Sequence, residues 1–227
     1  MDSLDNSGNT KEIVEVALFP IPEMVSFPGT KVPLHVFEPR YRALIRDSVR
    51  DQRLVAVCHT QKQISDSKPN QSINEILKTN QASFEPCEIF SAGICEVVET
   101  TDDGRMRVDV NMQARYRLIE PQQMIPYRIV RCEQLLDQQL DDDEARASAE
   151  LMLSINKILT SIIDSQKPEL NSAEQLDPWL ELSPAEYSNR IFSIFRFEAE
   201  LMQDILETTN PYHRLQMINA LFVPIDI

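Results

Sequence analysis

The chain has 227 residues, 42% of them hydrophobic and 26% charged, which is the composition of a globular protein of one or two domains. With 22 Lys and Arg against 36 Asp and Glu, the formal charge of −14 works against nonspecific attraction to a nucleic-acid backbone. Four glycines, scattered at 8, 29, 93 and 104, exclude a Gly-rich nucleotide cradle.

The opening, MDSLDNSGNTKE, lacks the basic and apolar regions of a signal peptide, and no apolar run is long enough to span a membrane. Ile13 to Phe19 is an apolar, β-branched run closed by Pro20 and Pro22. Met24 to Phe27 reads as a short extended piece stopped by the Pro28-Gly29 turn, and Val32 to Phe37 as extended again. Pro39 suits a first helical position, and Tyr41, Leu44, Ile45, Ser48 and Val49 then keep the 3–4 spacing of a helix with one inward face. Leu54 to Cys58 is the next strand. Residues 60–83 are rich in Gln, Asn, Ser and Lys and read as an exposed insertion, with room for a short helix near Ile73–Leu77. Cys87 to Val98 reads as strand, Asp103-Gly104 as a hairpin turn, and Met106, Val108 and Val110 alternate with polar neighbours. Arg115 to Ile119 and Tyr127 to Leu136 continue the pattern, separated by Pro121 and Pro126. Six or more short strands interrupted by one helix predict a closed or nearly closed barrel.

The texture changes between 134 and 142. Residues 1–139 carry 16 basic and 20 acidic side chains, and residues 140–227 carry 6 and 16. Asp141, Asp142, Asp143 and Glu144 fit a helix N-terminus, where free amides and the dipole favour negative charge, and an apolar stripe continues to Ile163. Ser183-Pro184-Ala185-Glu186 is a capping box with proline at the first helical position. Glu198 to Leu206 and a segment begun by Asn210-Pro211 complete a four-helix second half.

The motifs of common catalysis are absent. There is no GxxxxGK[ST], HExxH or GxSxG, and His35, His59 and His213 are remote from one another. Cys58, Cys87, Cys95 and Cys132 show no CxxC spacing and read as buried free thiols of a cytoplasmic protein. No catalytic residue, cofactor or metal is expected. Carboxylate pairs such as Glu38 with Asp47 or Glu96 with Glu99 arise by chance among 36 acids. The basic series Arg105, Arg107, Arg115, Arg117, Arg128 and Arg131 is more informative. At two-residue spacing Arg105 and Arg107 share one side of a strand, as do Arg115 and Arg117. Such a stripe either pairs with the protein's own acids or contacts RNA or an acidic peptide.

Residues 16–45, VALFPIPEMVSFPGTKVPLHVFEPRYRALI, closely resemble the opening of the N-terminal substrate-binding domain of the Lon protease family. The shared elements are Leu18-Phe19-Pro20, Phe27-Pro28-Gly29, Pro33-Leu34 and Phe37-Glu38-Pro39-Arg40-Tyr41. Gly93, Gly104 and the strand Arg115-Tyr116-Arg117-Leu118 match later family positions, and Asn210-Pro211 with Arg214-Leu215 match its helical half. The family's FG[VI] strand is here Leu54 to Cys58, without the glycine. The resemblance implies an α+β fold: a PUA-like pseudo-barrel lobe over 12–138 with a polar insertion near 60–83, then a helical lobe over 139–227. It also implies a non-enzymatic module that binds unfolded or flexible protein segments, without Lon's ATPase and peptidase parts, and so with a separate protease or ATPase as a candidate partner. Nucleic acid is the alternative ligand, because PUA-like barrels often bind RNA, and the charge opposes it. The motif residues read first as scaffold. Arg40 either holds Glu38 or a backbone carbonyl or faces a ligand, and Met152 and Met202 are either helix core or adaptable contacts near the lobe junction.

Overall fold

The computed structural model describes residues 3–4, 10–65, 80, 83–166 and 175–222. The chain divides into two compact units, Met1–Leu136 with Arg196–Leu206, and Asp137–Phe195 with Glu207–Ile227. The architecture is mixed α+β, rich in sheet in its N-terminal half and helical in its C-terminal half.

In the first unit a two-residue pair, β1 (Ser3–Leu4) and β2 (Thr10–Lys11), precedes β3 (Ile13–Pro20) and β4 (Lys31–Val36). Helix α1 (Pro39–Asp51) leads to β5 (Leu54–Cys58), β6 (Thr60–Ser65), β7 (Ser83–Pro86), β8 (Ile89–Thr100), β9 (Met106–Gln123) and β10 (Ile129–Gln134). The main sheet runs β10-β3-β5-β8-β9-β4, with β9 also paired to β10. β3 and β5 are parallel, with α1 in the crossover between them, and the other pairs are antiparallel.

From Val16 onward both faces of β3 are buried, which explains the continuous apolar run Val16 to Pro20 after the exposed Glu15. Ala17 and Phe19 join Val55, Val57 and Ile129 in one core, which α1 covers with Tyr41, Leu44 and Ile45. Val16 and Leu18 join Ala56, Cys58, Phe90, Val130 and Cys132 in the other. Strand β9 serves both. Met106, Val108, Val110 and Met112 line the first core and Tyr116 the second. The switch coincides with a register shift, where Ala92 faces Ala114 but Gly93 faces Met112. A Cβ on Gly93 would lie 1.8 Å from the Asn111 carbonyl oxygen, so only glycine fits this crossing.

Two expectations are corrected. Pro121 does not separate strands but lies inside β9. The β8 ladder ends at Arg117 and the β9–β10 pairing is irregular here, so a missing donor is tolerated. The margins of the polar insertion are not loop: β6 and β7 pair antiparallel, with Lys62 to Glu85 at 2.9 Å across them. Ile73–Leu77 lies outside the described residues. Met24 to Phe27 lies outside the strands, and Ser26 anchors it by donating to the Val57 carbonyl at 2.8 Å and accepting from Ser91 through its own carbonyl.

The described residues of the second half include the α-helices α2 (Asp142–Gln166), α3 (Pro184–Arg190), α4 (Ala199–Glu207) and α5 (Pro211–Phe222). Asp141 caps α2, accepting from the Asp143 and Glu144 amides at 3.0 and 2.8 Å. The capping box of α3 is present in both directions between Ser183 and Glu186. In the second unit Arg214 is fully buried, held by Asp137, Ser188 and the Thr208 carbonyl. Helix α4, by contrast, groups with the sheet through Leu206. Its Gln203 donates to the Ile89 carbonyl at 2.9 Å, and Arg115 donates to the Leu206 carbonyl. These bonds span 114 and 91 residues, separations that spacing along the sequence does not reveal.

Candidate functional site

Three segments of the sheet unit converge at one place: the end of β3, the turn from β4 into α1, and the β9–β10 connection. Pro39 starts α1 with Glu38 extended before it, so Arg40 and Tyr41 fall in the first turn. Burial of that turn then fixes their order. Tyr41 goes inward and stacks on Phe19, ring centroids 4.0 Å apart and 18° from parallel. Desolvation pushes its hydroxyl up to about 12. Arg40 lies over the other face of the Tyr41 ring at 4.6 Å, a cation–π contact. Its guanidinium donates to Glu38 Oε2 at 2.9 Å and to Ser83 Oγ at 2.7 Å. Of the readings open for Arg40, the structure has it holding Glu38. Both side chains are about nine-tenths buried, so neither can lose its partner cheaply.

This ridge separates two clefts. One, of about 310 Å³, is walled by Phe19, Pro20, His35, Phe37, Tyr41 and Phe84. The other, of about 230 Å³, shares Pro20, Arg40, Tyr41 and Phe84 and continues to Ser83, the 124–126 turn, Tyr127 and Arg128. Apolar side chains stay exposed at the rims, Phe37 beside the first cleft and Met124 and Ile125 beside the second.

Apart from Leu18, which lines the second cleft, the remaining motif residues line neither. Phe27 is buried, and Thr30 donates to its carbonyl at 2.6 Å to close the turn containing Pro28. Gly29 and Gly104 occupy left-handed positions, φ 76° and 82°. Pro33 and Leu34 lie in β4, the edge strand, where a missing donor is tolerated. Arg115 and Arg117 do not act as a pair: Arg115 is buried and bonded to Leu206, while Arg117 is exposed and near Glu133 at 3.8 Å. Arg105, Arg107 and Arg131 reach Asp103, Glu99 and Glu120 at 2.9 to 3.1 Å, so this part of the basic series is matched by the protein's own acids. Met152 and Met202 are buried helix core.

Sequence reasoning found the ridge through the family motif. It named Arg128 only as one of the basic series and did not single out Ser83, Phe84, Met124 or Ile125, which reach the clefts through pairings remote in sequence. No group of metal ligands occurs among the described residues. All four cysteines are buried, and burial pushes the Cys58, Cys95 and Cys132 thiols up. His59 is structural, its Nδ1 accepting from the Glu23 amide at 3.1 Å.

The model of the ATP-dependent protease La (LON) substrate-binding domain family matches residues 15–223. The chain belongs to this family. It is 25% identical over 205 residues to a Lon protease of Anaeromyxobacter dehalogenans, covering 88% of this chain and 22% of that one. Lon protease 2 of Myxococcus xanthus is 24% identical over 215 residues, covering 92% of this chain and 24% of that protein. The chain thus spans about a quarter or less of these relatives' length. Two solved structures share the fold. The N-terminal domain of a Mycobacterium avium complex Lon protease has a TM-score of 0.65 at 13% identity, covering 94% of this chain and all of that one. A Lon N-terminal domain protein from Xanthomonas campestris has 0.54 at 19%, covering 92% and 99%. What is matched is the non-catalytic, protein-binding part of Lon. Within this Lon-type domain, the motif Phe37 to Tyr41 is the ridge between the clefts. Among the described residues no helix is long and apolar enough to cross a membrane.

Proposed function

We propose that this Lon-type domain holds extended stretches of unfolded or flexible protein against the clefts beside Arg40 and Tyr41. The observation carrying this reading is the aromatic cleft of about 310 Å³. It is walled by the family's own motif residues, yet Phe37 keeps 36% of its surface exposed. A buried scaffold would cover such a ring, whereas a binding surface leaves it open. The Glu38–Arg40 pair fixes the ridge in place, so the apolar walls need no rearrangement to receive a segment. Phe19, Pro20, Phe37, Glu38, Arg40, Tyr41 and Phe84 form the binding surface, and the other motif residues are its support. The sheet is a PUA-like pseudo-barrel, a reading supported by β9 pairing with both β8 and β10. The domain works in the cytoplasm and hands its segments to a separate protease or ATPase.

The test is titration of a labelled, permanently unfolded protein and a labelled structured RNA at matched salt, with Phe37→Ala as the variant. Saturable binding of the unfolded protein, weakened about tenfold by Phe37→Ala, is expected, since losing a buried aromatic anchor costs ~1–2 kcal/mol. Tight RNA binding without protein binding would reverse the reading.

A further inference from the structure

The second cleft differs from the first in carrying an unanswered charge. Among the described residues, the Arg128 side chain has no ion pair or hydrogen bond, although it lies half-buried in the cleft wall. Its neighbours in the basic series, Arg105, Arg107 and Arg131, each reach an acid within 3.1 Å. Tyr41 lines the same cleft, and its hydroxyl likewise makes no hydrogen bond among the described residues. Burial, Arg40 and Glu38 act on the Tyr41 phenol most strongly, and Arg128 lies within electrostatic reach of it as well. Arg128 and Tyr41 thus line one small space, and a guanidinium and a phenol can both donate. The Glu38 Oε2 is taken by Arg40 at 2.9 Å.

We infer that Arg128 and Tyr41 form a carboxylate-binding subsite for an aspartate or glutamate side chain of a bound segment. The inference rests on the function proposed above and names the kind of segment. Three observations select the occupant. The cleft presents positive charge in a chain of net charge −14, so it attracts what the rest of the surface repels. A volume of about 230 Å³ accepts a side chain and not a folded element. The two clefts share Pro20, Arg40, Tyr41 and Phe84, so an extended segment with an apolar residue beside Phe37 continues into the second cleft. A carboxylate there receives charge-assisted hydrogen bonds from Arg128 and Tyr41, with Met124 and Ile125 against its flanks. The preferred segment is therefore an apolar or aromatic residue followed within a few positions by an acid.

The experiment uses the full chain and three fluorescent peptides of one apolar sequence. The first carries an internal glutamate and an amidated end, the second glutamine in its place with the same end, and the third glutamine with a free C-terminal carboxylate. The glutamate peptide should bind about tenfold more tightly than the glutamine amide, as a charge-assisted pair implies. Arg128→Gln should bring that ratio to near one, the loss falling mainly on the glutamate peptide, and Tyr41→Phe, which keeps the ring stack, should reduce it about threefold. Raising salt should lower the ratio for the wild type and not for Arg128→Gln. A ratio near one in the wild type, or one that survives Arg128→Gln, would overturn the subsite and leave the protein-segment reading standing. A free carboxylate binding better than the internal glutamate would overturn the side-chain assignment. If none of the three peptides binds, the protein-segment reading itself falls. RNA that displaces the glutamate peptide from the wild type but not from Arg128→Gln would give the subsite to phosphate instead.

Discussion

The helical unit and the sheet unit use arginine in opposite ways. Arg214 is fully buried, and its guanidinium reaches Asp137 at 2.9 and 3.0 Å, Ser188 at 2.8 Å and the Thr208 carbonyl at 3.0 Å. Nothing is left over for a ligand. In the sheet unit Arg40 is nearly as well enclosed but stands beside a cleft, and Arg128 reaches into one with no partner among the described residues. A saturated arginine at the centre of a packed unit organises that unit. An unsaturated one on a cleft wall keeps its donors for something that arrives. The helical unit adds local caps to distant contacts such as Arg214 with Asp137, 77 residues apart, whereas in the sheet unit Gln203 and Arg115 bridge 114 and 91 residues.

If that contrast is right, the largest single loss should come from a distant contact in the sheet. Gly93→Val would place a Cβ 1.8 Å from the Asn111 oxygen and 2.8 Å from Met112 Cα, both backbone atoms that cannot swing aside. We expect a loss of more than about 3 kcal/mol, beyond ordinary overpacking, read as the urea midpoint. A midpoint within error of wild type would mean the β8–β9 crossing is looser than drawn. In the helical unit, Arg214→Met keeps the bulk but strands Asp137, whose side chain is 24% exposed. Breaking a buried pair costs roughly 3–5 kcal/mol, and water at Asp137 places the loss near the lower end. The double change Arg214→Met with Asp137→Leu should recover much of it. No recovery would show that Arg214 acts mainly through Ser188 and Thr208.

These two sites also mark the limit of what the sequence discloses. The capping box at Ser183, the acidic start of α2, Pro39 at the head of α1 and the Asp103-Gly104 turn all appear as expected, because each is decided by residues within a turn of one another. The ridge was legible for another reason, as a family motif rather than as chemistry. What stayed hidden depends on contacts across the fold. Arg115 and Arg117 look equivalent two residues apart, and only the arrival of Leu206 buries one of them. Arg128 belongs to the same basic series as Arg131, and nothing in their spacing says that Glu120 answers one and a cleft receives the other. The pairing of β6 with β7 across a polar stretch is hidden likewise, since neither flank carries an apolar face to announce it.

Alkaline pH should weaken both units next, since in the helical one burial pushes the Tyr187 hydroxyl up as well. Tyr41, Tyr116 and Tyr127, all in the sheet unit, are pushed up to about 12 from an ordinary 10, chiefly by desolvation. In each case the folded state prefers the neutral phenol, so above pH 10 the unfolded chain loses its protons first. The stability these groups contribute is therefore complete below about pH 10 and declines as pH rises toward 12. Tyr127 adds a hydrogen bond to Asp47 at 2.7 Å. Tyr127→Phe should lower stability at neutral pH by about 1 kcal/mol, less than a fully buried bond to a carboxylate, because the pair is partly exposed. Tyrosinate absorbance followed with far-UV circular dichroism would show whether ionisation and unfolding coincide. Tyrosines ionising with an ordinary value before any loss of structure would sink the account.

The smallest expected effect belongs to the local caps. In α3 the Glu186 amide donates to Ser183 Oγ at 3.3 Å, and Glu186 Oε2 accepts from the Ser183 hydroxyl at 2.7 Å and its amide at 3.0 Å. Those bonds hold the Glu186 carboxyl below its ordinary value. Ser183→Ala removes both hydroxyl bonds but leaves the backbone one, so the loss should be ~1 kcal/mol, the usual cost of an N-cap. The folded state prefers the ionised carboxylate, so the cap's contribution is present above the unfolded value. It fades as pH falls through the folded one. Ser183→Ala and wild type should therefore converge in stability on acidification, whereas Gly93→Val, which alters no titrating group, should stay displaced by the same margin at every pH at which the protein folds. Parallel urea titrations at neutral and acidic pH would make the comparison. A Ser183→Ala deficit that persists undiminished in acid would mean that the hydroxyl serves the helix through its bond to the Glu186 amide alone, with the carboxylate arm of the box contributing nothing.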